Sequence, residues 1–221
     1  MEEAVRGVFE SIQDKYDFLD SMISFGLDQS WRRKMIRLMA LRKGMDILDC
    51  GAGTGKLTML VRKQCEDCSI TSLDITEKMF RKTLLSETRF IVGSAEKLPF
   101  NDSSMDRVIS AFLTRNLSSH ENYFRESHRV LRKGGIFVNM DIYRPAIPVY
   151  RQLFSLYFYH IVPFVGDRVT NSRSYSYLAE SVIRFKTVDE ISSILTATGF
   201  TVERVFKLML GTVVIHVGRK I

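Results

Sequence analysis

The 221-residue sequence predicts an α/β protein: a seven-stranded, mostly parallel sheet with helices on both faces, finished by an antiparallel carboxy-terminal hairpin. Three observations carry this expectation. Short strand-like runs alternate with amphipathic helical ones, the pattern of a parallel sheet. A glycine-rich turn leads from the first strand into a helix. Two strand-like runs near the carboxyl end lie close enough in sequence to pair antiparallel.

In order along the chain, helical stretches are expected at about 4–22 and 28–42. Strands follow at about 45–50, 69–74, 89–92, 106–112 and 135–142, with helices at about 55–65, 76–86 and 119–131 between them. Helix 119–131 runs into Leu131-Arg132-Lys133-Gly134-Gly135, basic residues and then glycine, a helix stop signal. Thr187 and Glu190 form a capping box that opens a helix over 187–198, and strands at 201–209 and 212–218 make the hairpin. The chain reads as one domain over 1–221, in which 1–43 forms a helical lid and the Tyr- and Phe-rich 143–186 is a substrate-side insertion. Ligands in such sheets bind beyond the carboxyl ends of the strands, where Asp49, Asp74, Gly93-Ser94-Ala95 and Ala111 fall.

Composition narrows the function classes. The +7 formal charge is carried by scattered Lys and Arg, and the clusters Arg32-Arg33-Lys34 and Arg132-Lys133 read as solvated helix faces and ends rather than a nucleic-acid footprint. No signal peptide is expected, and the apolar run 153–165 is too short and too polar to span a bilayer, so the reading is a cytoplasmic protein with at most peripheral membrane contact. A homodimer is compatible with this composition. Cys65 and Cys68 have CxxC spacing but no second pair to complete a zinc site, so no metal is expected and the pair reads as a local disulfide under oxidation.

The turn Asp49-Cys50-Gly51-Ala52-Gly53-Thr54-Gly55-Lys56-Leu57 is not a Walker loop, because that spacing demands glycine at Cys50 and a hydroxyl at Leu57. A dinucleotide fingerprint wants its third glycine at Lys56, which weakens that reading too. What remains is a strand-end carboxylate, three glycines and, at the end of the second strand, Asp74. That set suits a ligand with a ribose and a cation.

These residues resemble motif I and the acidic loop of class I S-adenosylmethionine-dependent methyltransferases. Further runs narrow the resemblance: Tyr16-Asp17-Phe18-Leu19-Asp20, Gly93-Ser94-Ala95-Glu96-Lys97-Leu98-Pro99-Phe100, Arg115-Asn116, Arg129-Val130-Leu131-Arg132-Lys133-Gly134-Gly135 and Tyr175-Ser176-Tyr177-Leu178. Together they are similar to the ubiquinone/menaquinone biosynthesis C-methyltransferases. The resemblance implies a Rossmann-like class I methyltransferase fold, S-adenosyl-L-methionine as cofactor, and a prenylated quinol or another small aromatic as acceptor. It implies cofactor contacts from Asp49, Gly51, Ala52, Gly53, Thr54, Gly55, Asp74, Ile75, Met79, Ser94, Ala95, Glu96 and Ala111. Arg115 would hold a developing aryl-oxide or an activated water, with Asn116 orienting it, and Tyr16 and Asp17 would cap the pocket from the lid. The sequence departs from the family pattern at Asp28-Gln29 and at Leu113-Thr114 before Arg115.

Overall fold

The computed structural model describes residues 6–7, 21, 24–80, 88–170 and 174–221. Its sheet has seven strands in the order β3-β2-β1-β4-β5-β7-β6, namely β1 Asp46–Cys50, β2 Ser69–Asp74, β3 Arg89–Val92, β4 Met105–Ala111, β5 Leu131–Ile142, β6 Phe200–Leu208 and β7 Val213–Lys220. The pairs among β1 to β5 are parallel, and β7 runs antiparallel to both β5 and β6. Because successive side chains of a strand face opposite ways, Ile47 and Ile109 enter one core layer while Leu48 and Val108 enter the other. The first layer is covered by α1 (Asp28–Leu38) and α2 (Lys56–Gln64) through Met35, Ile36, Leu57 and Val61. The second is covered by α3 (His120–Val130) and, later in the chain, α7 (Val188–Ala197) through Tyr123, Phe124, Ile191 and Leu195.

Between β5 and α7 the expected insertion is helical: α4 (Pro148–Leu156), a π-helical turn (Tyr157–Ile161), α5 (Val162–Thr170) and α6 (Ser174–Arg184). It has its own small core of Phe154, Phe158, Val162, Tyr175, Ala179 and Val182. The capping box forms as expected, with the Thr187 N–H donating to Glu190 Oε2 at 2.7 Å and the Glu190 N–H to Thr187 Oγ1 at 3.3 Å. Cys65 and Cys68 are disulfide-bonded.

Three expectations are corrected. The helix expected over 76–86 is absent from 76–80, which form bends and turns, and the remainder of that stretch up to residue 87 lies outside the described residues. The strand expected from 135 begins at Leu131, so the stop signal hands the chain directly from α3 to β5. Arg132 is thereby placed to bridge Asp46 (2.8 Å) and Asp106 (2.7 Å) at the amino ends of β1 and β4, instead of ending a helix. Arg32, read as a surface residue, is only 6% exposed.

Arg32 is buried because it belongs to an ionic cluster. Asp28, fully buried at the start of α1, sits 3.6 Å from Arg32 Nε and accepts from Lys56 Nζ at 3.3 Å, while Ser24 Oγ donates to its other oxygen. Asp28, where the sequence departs from the family pattern, and Lys56, which fails the dinucleotide fingerprint, thus make one contact between the first residues of α1 and α2. Removing one partner of such a cluster leaves uncompensated buried charge and costs about 3–5 kcal/mol, whereas replacing the ions by apolar groups is far cheaper. Urea unfolding of Asp28→Ala is therefore expected to show a loss of this size, recovered in part in Asp28→Ala/Lys56→Met, in which Arg32 still lacks the carboxylate. A double variant no more stable than the single one would show that the pair does not carry the cost.

Candidate active site

Beyond the carboxyl ends of β1, β2, β3 and β4 lies a cleft of about 700 Å³, counted to its open mouth. Gly51 and Gly53 form one side, Asp74, Ile75 and Met79 the next, Ser94, Ala95 and Glu96 the floor, and Ala111, Phe112, Leu113 and Asn116 the far wall. Ten of the residues singled out from sequence are thus brought together: Gly51, Gly53, Asp74, Ile75, Met79, Ser94, Ala95, Glu96, Ala111 and Asn116. Asp49, Ala52, Thr54, Gly55 and Arg115 are not on its surface, and Tyr16 and Asp17 lie outside the described residues.

The glycine turn is built for close approach. Gly51 has φ +65, and a Cβ there would come within 2.9 Å of Leu113, so the loop packs tightly on the β4 side. Gly53 has φ +54 with open space where a Cβ would stand. Its N–H donates to Asp74 Oδ2 at 2.9 Å, while Asp74 Oδ1 accepts from the Thr76 N–H at 3.2 Å. One carboxylate therefore ties the loop after β1 to the turn after β2. Burial raises the Asp74 pKa, and the backbone donors of Gly53, Thr76 and Ile75 oppose that rise.

Asp49 lies one layer below. Its Oδ2 accepts from Thr58 Oγ1 at 2.7 Å, and its Oδ1 is buried with no hydrogen-bond partner. Desolvation pushes its pKa from 3.8 up to about 7, against the lowering effects of Thr58 and Arg32.

The floor is fastened by a contact that joins two separately read motifs. Arg129 donates to the carbonyls of Leu98 and Phe100 and pairs with Asp102 and Glu126, while the Leu98 N–H donates to Glu126. Glu96 accepts from the N–H groups of Ser118 and Ser119, drawing the loop toward α3.

The far wall turns on Phe112. Its φ of +63 is left-handed, a region that costs a residue with a Cβ on the order of 1–2 kcal/mol. The Phe112 carbonyl accepts from Arg115 Nη1 at 2.8 Å and from Asn116 Nδ2 at 3.2 Å. Arg115, with its side chain 3% exposed, also pairs through Nη1 with Asp141 Oδ1 at 2.7 Å, and its N–H donates to Asp141 Oδ2 at 3.0 Å. The guanidinium thus sits behind the wall, in an ion pair with the end of β5. Tyr177, from the Tyr-x-Tyr-Leu run, brings its hydroxyl to Asn116 Oδ1 at 3.4 Å.

Phe112 also lines a second, largely apolar pocket, of about 620 Å³ counted to its open mouth, together with Phe25, Trp31, Tyr150, Phe154, Tyr157 and Phe158. Composition flagged this aromatic segment, but that it opens beside Phe112 depends on tertiary contacts no local pattern shows. His216, a residue of β7, is fully buried with Nε2 3.1 Å from Ser192 Oγ, and desolvation lowers its pKa to about 4.

The folded state holds a proton on Asp49 that the unfolded chain releases between 3.8 and about 7, so Asp49 erodes stability as pH rises through that window. Asp49→Asn removes this dependence. Relative to the unsubstituted protein, its stability is expected to gain by up to about 4 kcal/mol on going from below to above the window. Denaturation curves of both proteins at each end check this, and a gap that stays constant with pH would place the proton elsewhere.

Comparison with known proteins agrees with this geometry. The ubiE/COQ5 methyltransferase family matches residues 1–220. A Geobacter sp. (strain M21) protein named ubiquinone/menaquinone biosynthesis C-methyltransferase UbiE is 31% identical, covering 99% of this chain and 97% of its own. A Staphylococcus aureus (strain JH9) demethylmenaquinone methyltransferase is 32% identical over 99% and 93%. Among solved structures, a SAM-dependent methyltransferase from Thermotoga maritima superposes with a TM-score of 0.68 at 15% identity, over 97% of this chain and 99% of that one. The [4+2]-cyclase SpnF superposes at 0.67 and 16% identity, over 87% and 81%. The seven-stranded sheet is that of the class I methyltransferases, and the chain belongs to the ubiE/COQ5 methyltransferase family.

Proposed function

We propose that the chain methylates a ring carbon of a prenylated quinol, with S-adenosyl-L-methionine as methyl donor. The observation that carries this reading is the pair of cavities with Phe112 as common wall: a cleft with a carboxylate and glycines on one side, an apolar aromatic pocket on the other.

The residues of the cleft fit the donor. Asp74 offers acceptor oxygens to ribose hydroxyls, the gap beside Gly53 admits a ligand against the backbone, and Ile75 and Met79 give apolar walls for a flat ring. The buried, partnerless Oδ1 of Asp49 sits beneath the loop, and a cationic ligand bound above it would draw the carboxyl, held protonated by burial, toward its ionised form. Bound there, the donor supplies an electrophilic sulfonium methyl group.

The chain's work is then alignment and exclusion of water. A quinol ring carbon becomes nucleophilic as an adjacent hydroxyl loses its proton. Phe154, Tyr157 and Phe158 supply apolar surface for the ring and the start of its prenyl tail, and the Tyr150 hydroxyl, which accepts from Thr212 Oγ1 at 3.1 Å, gives that pocket a polar point. Asn116 reaches the cleft itself and can meet an acceptor oxygen. Arg115 is assigned a positioning role: it holds the Phe112 carbonyl, and through it the wall between the two cavities. The resemblance-based contacts from Ala52, Thr54 and Gly55, and the lid role of Tyr16 and Asp17, complete the proposed site.

Arg115→Lys keeps the charge but loses the planar fork that serves Asp141 and the Phe112 carbonyl together. Turnover is expected to fall by roughly tenfold or more, about 1.4 kcal/mol of barrier, with S-adenosylhomocysteine affinity nearly unchanged. Parallel loss in both quantities would put Arg115 to work in the donor cleft instead.

The acceptor is tested by incubating the protein with labelled S-adenosylmethionine and, in parallel, reduced demethylmenaquinone, a prenylated benzoquinol and a prenyl-free aromatic. Label is expected in a prenylated quinol. Label confined to the prenyl-free compound would replace the quinol reading by that of a small-aromatic methyltransferase.

A further inference from the structure

A third cavity, of about 860 Å³ counted to its open mouth, shares no lining residue with the aromatic pocket and is not used by the proposed reaction. Four cationic side chains line it: Arg144 after β5, Arg151 on α4, Lys186 before α7 and Lys207 on β6. Asp189 is the one acidic residue on its lining. Among the described residues no carboxylate forms an ion pair with any of the four, and Arg151 is anchored instead on the carbonyls of Pro145 (3.0 Å) and Ala146 (2.8 Å). Four cations against one carboxylate leave the lining with a net positive charge, an arrangement relieved by an anion.

Two further features point the same way. The lining includes Thr187 and Val188 at the start of the ten-residue α7, whose dipole favours negative charge there. Tyr143, also on the lining, is 1% exposed and its buried hydroxyl lacks a hydrogen-bond partner. The chemistry suits a phosphate, which accepts from guanidinium, ammonium and hydroxyl donors together.

What lies beside the cavity favours one source of that phosphate. Ile147 is 47%, Val149 71%, Leu153 62% and Leu156 57% exposed, and these residues make an unpartnered apolar edge along α4, the helix that also carries Arg151. A phosphate site bordered by exposed aliphatic side chains matches a lipid, whose headgroup and acyl chains are adjacent in the same way.

We propose that this cavity binds the phosphate of an anionic phospholipid headgroup while the aliphatic edge of α4 enters the acyl layer. The site does not depend on which acceptor the enzyme methylates, and its test needs neither donor nor acceptor.

The full chain is sedimented with phosphatidylcholine vesicles made with or without phosphatidylglycerol. Binding is expected only when phosphatidylglycerol is present. Arg144→Glu/Lys207→Glu is expected to weaken it by about tenfold or more, since each basic residue near an anionic surface contributes appreciably. Lys63→Glu, on α2 in the half of the sheet that holds β2, changes the net charge in the same direction and is expected to leave binding largely intact. Val149→Ser/Leu153→Ser, which keeps every charge, is expected to weaken it as well. Circular dichroism establishes that each variant is folded, and Lys207→Gln alone replaces the double reversal should that one fail to fold. Undiminished vesicle binding by the cavity variants, or an equal loss in Lys63→Glu, would overturn the site. Thermal stabilisation by inorganic phosphate without any vesicle binding would overturn the lipid and leave a soluble phosphate as the ligand.

Discussion

The left-handed backbone of Phe112 is the constraint on which the site depends. At the end of β4 the chain must stop running with the sheet and turn so that one aromatic ring faces two cavities. A phenylalanine does not adopt φ +63 unaided. It is held there by a carbonyl that accepts from Arg115 and Asn116, and by an N–H that donates to the Met140 carbonyl at 2.8 Å. Arg115 is fixed in turn by Asp141, and the guanidinium groups of Arg32 and Arg115 lie 5.2 and 5.7 Å from the Phe112 ring centroid. Strain at such a position persists where the surroundings over-determine it, and here the end of β5 and two arginines do so.

The legible part of this protein was the part encoded locally. A glycine in a turn reports its own backbone, a capping box reports its own helix, and strand-end carboxylates follow from alternation; so the loop at Gly51–Gly55, Asp74 and the Thr187 cap could be read directly. Arg115 is visible as a residue of consequence, but its partner Asp141 stands 26 positions away on β5, and no local pattern distinguishes a guanidinium facing a ligand from one facing a carboxylate. Position 56 is similar: Lys56 reads as the residue that spoils a dinucleotide motif, and only the fold shows Asp28 waiting for it. The stretch after Asp74 has helical periodicity, yet residues 76–80 are drawn into turns, with Thr76 held by the Asp74 carboxylate. There a local bond from a backbone N–H to a carboxylate two residues earlier competes with the helix.

Fold alone would not have selected the chemistry. A cyclase and a methyltransferase superpose on this chain about equally well, both at identities too low to carry more than architecture. Beside the end of β4 the insertion between β5 and α7 contributes its own aromatic rings. The helices that complete the second pocket have their own core and are joined to the sheet through Ile142.

The Asp28–Lys56 pair has a consequence for anyone who would move the glycine loop into another protein. The first residue of α2 is bonded to the first residue of α1, so the loop's exit geometry is set by a helix that precedes it in the chain, with the whole of β1 between them. Grafted without α1, Lys56 would arrive with its carboxylate left behind; mutated in place to glycine, it would leave Asp28 to Arg32 and Ser24 alone. The motif is not a portable cassette, and its natural unit of transplantation runs from Ser24 through Asp74.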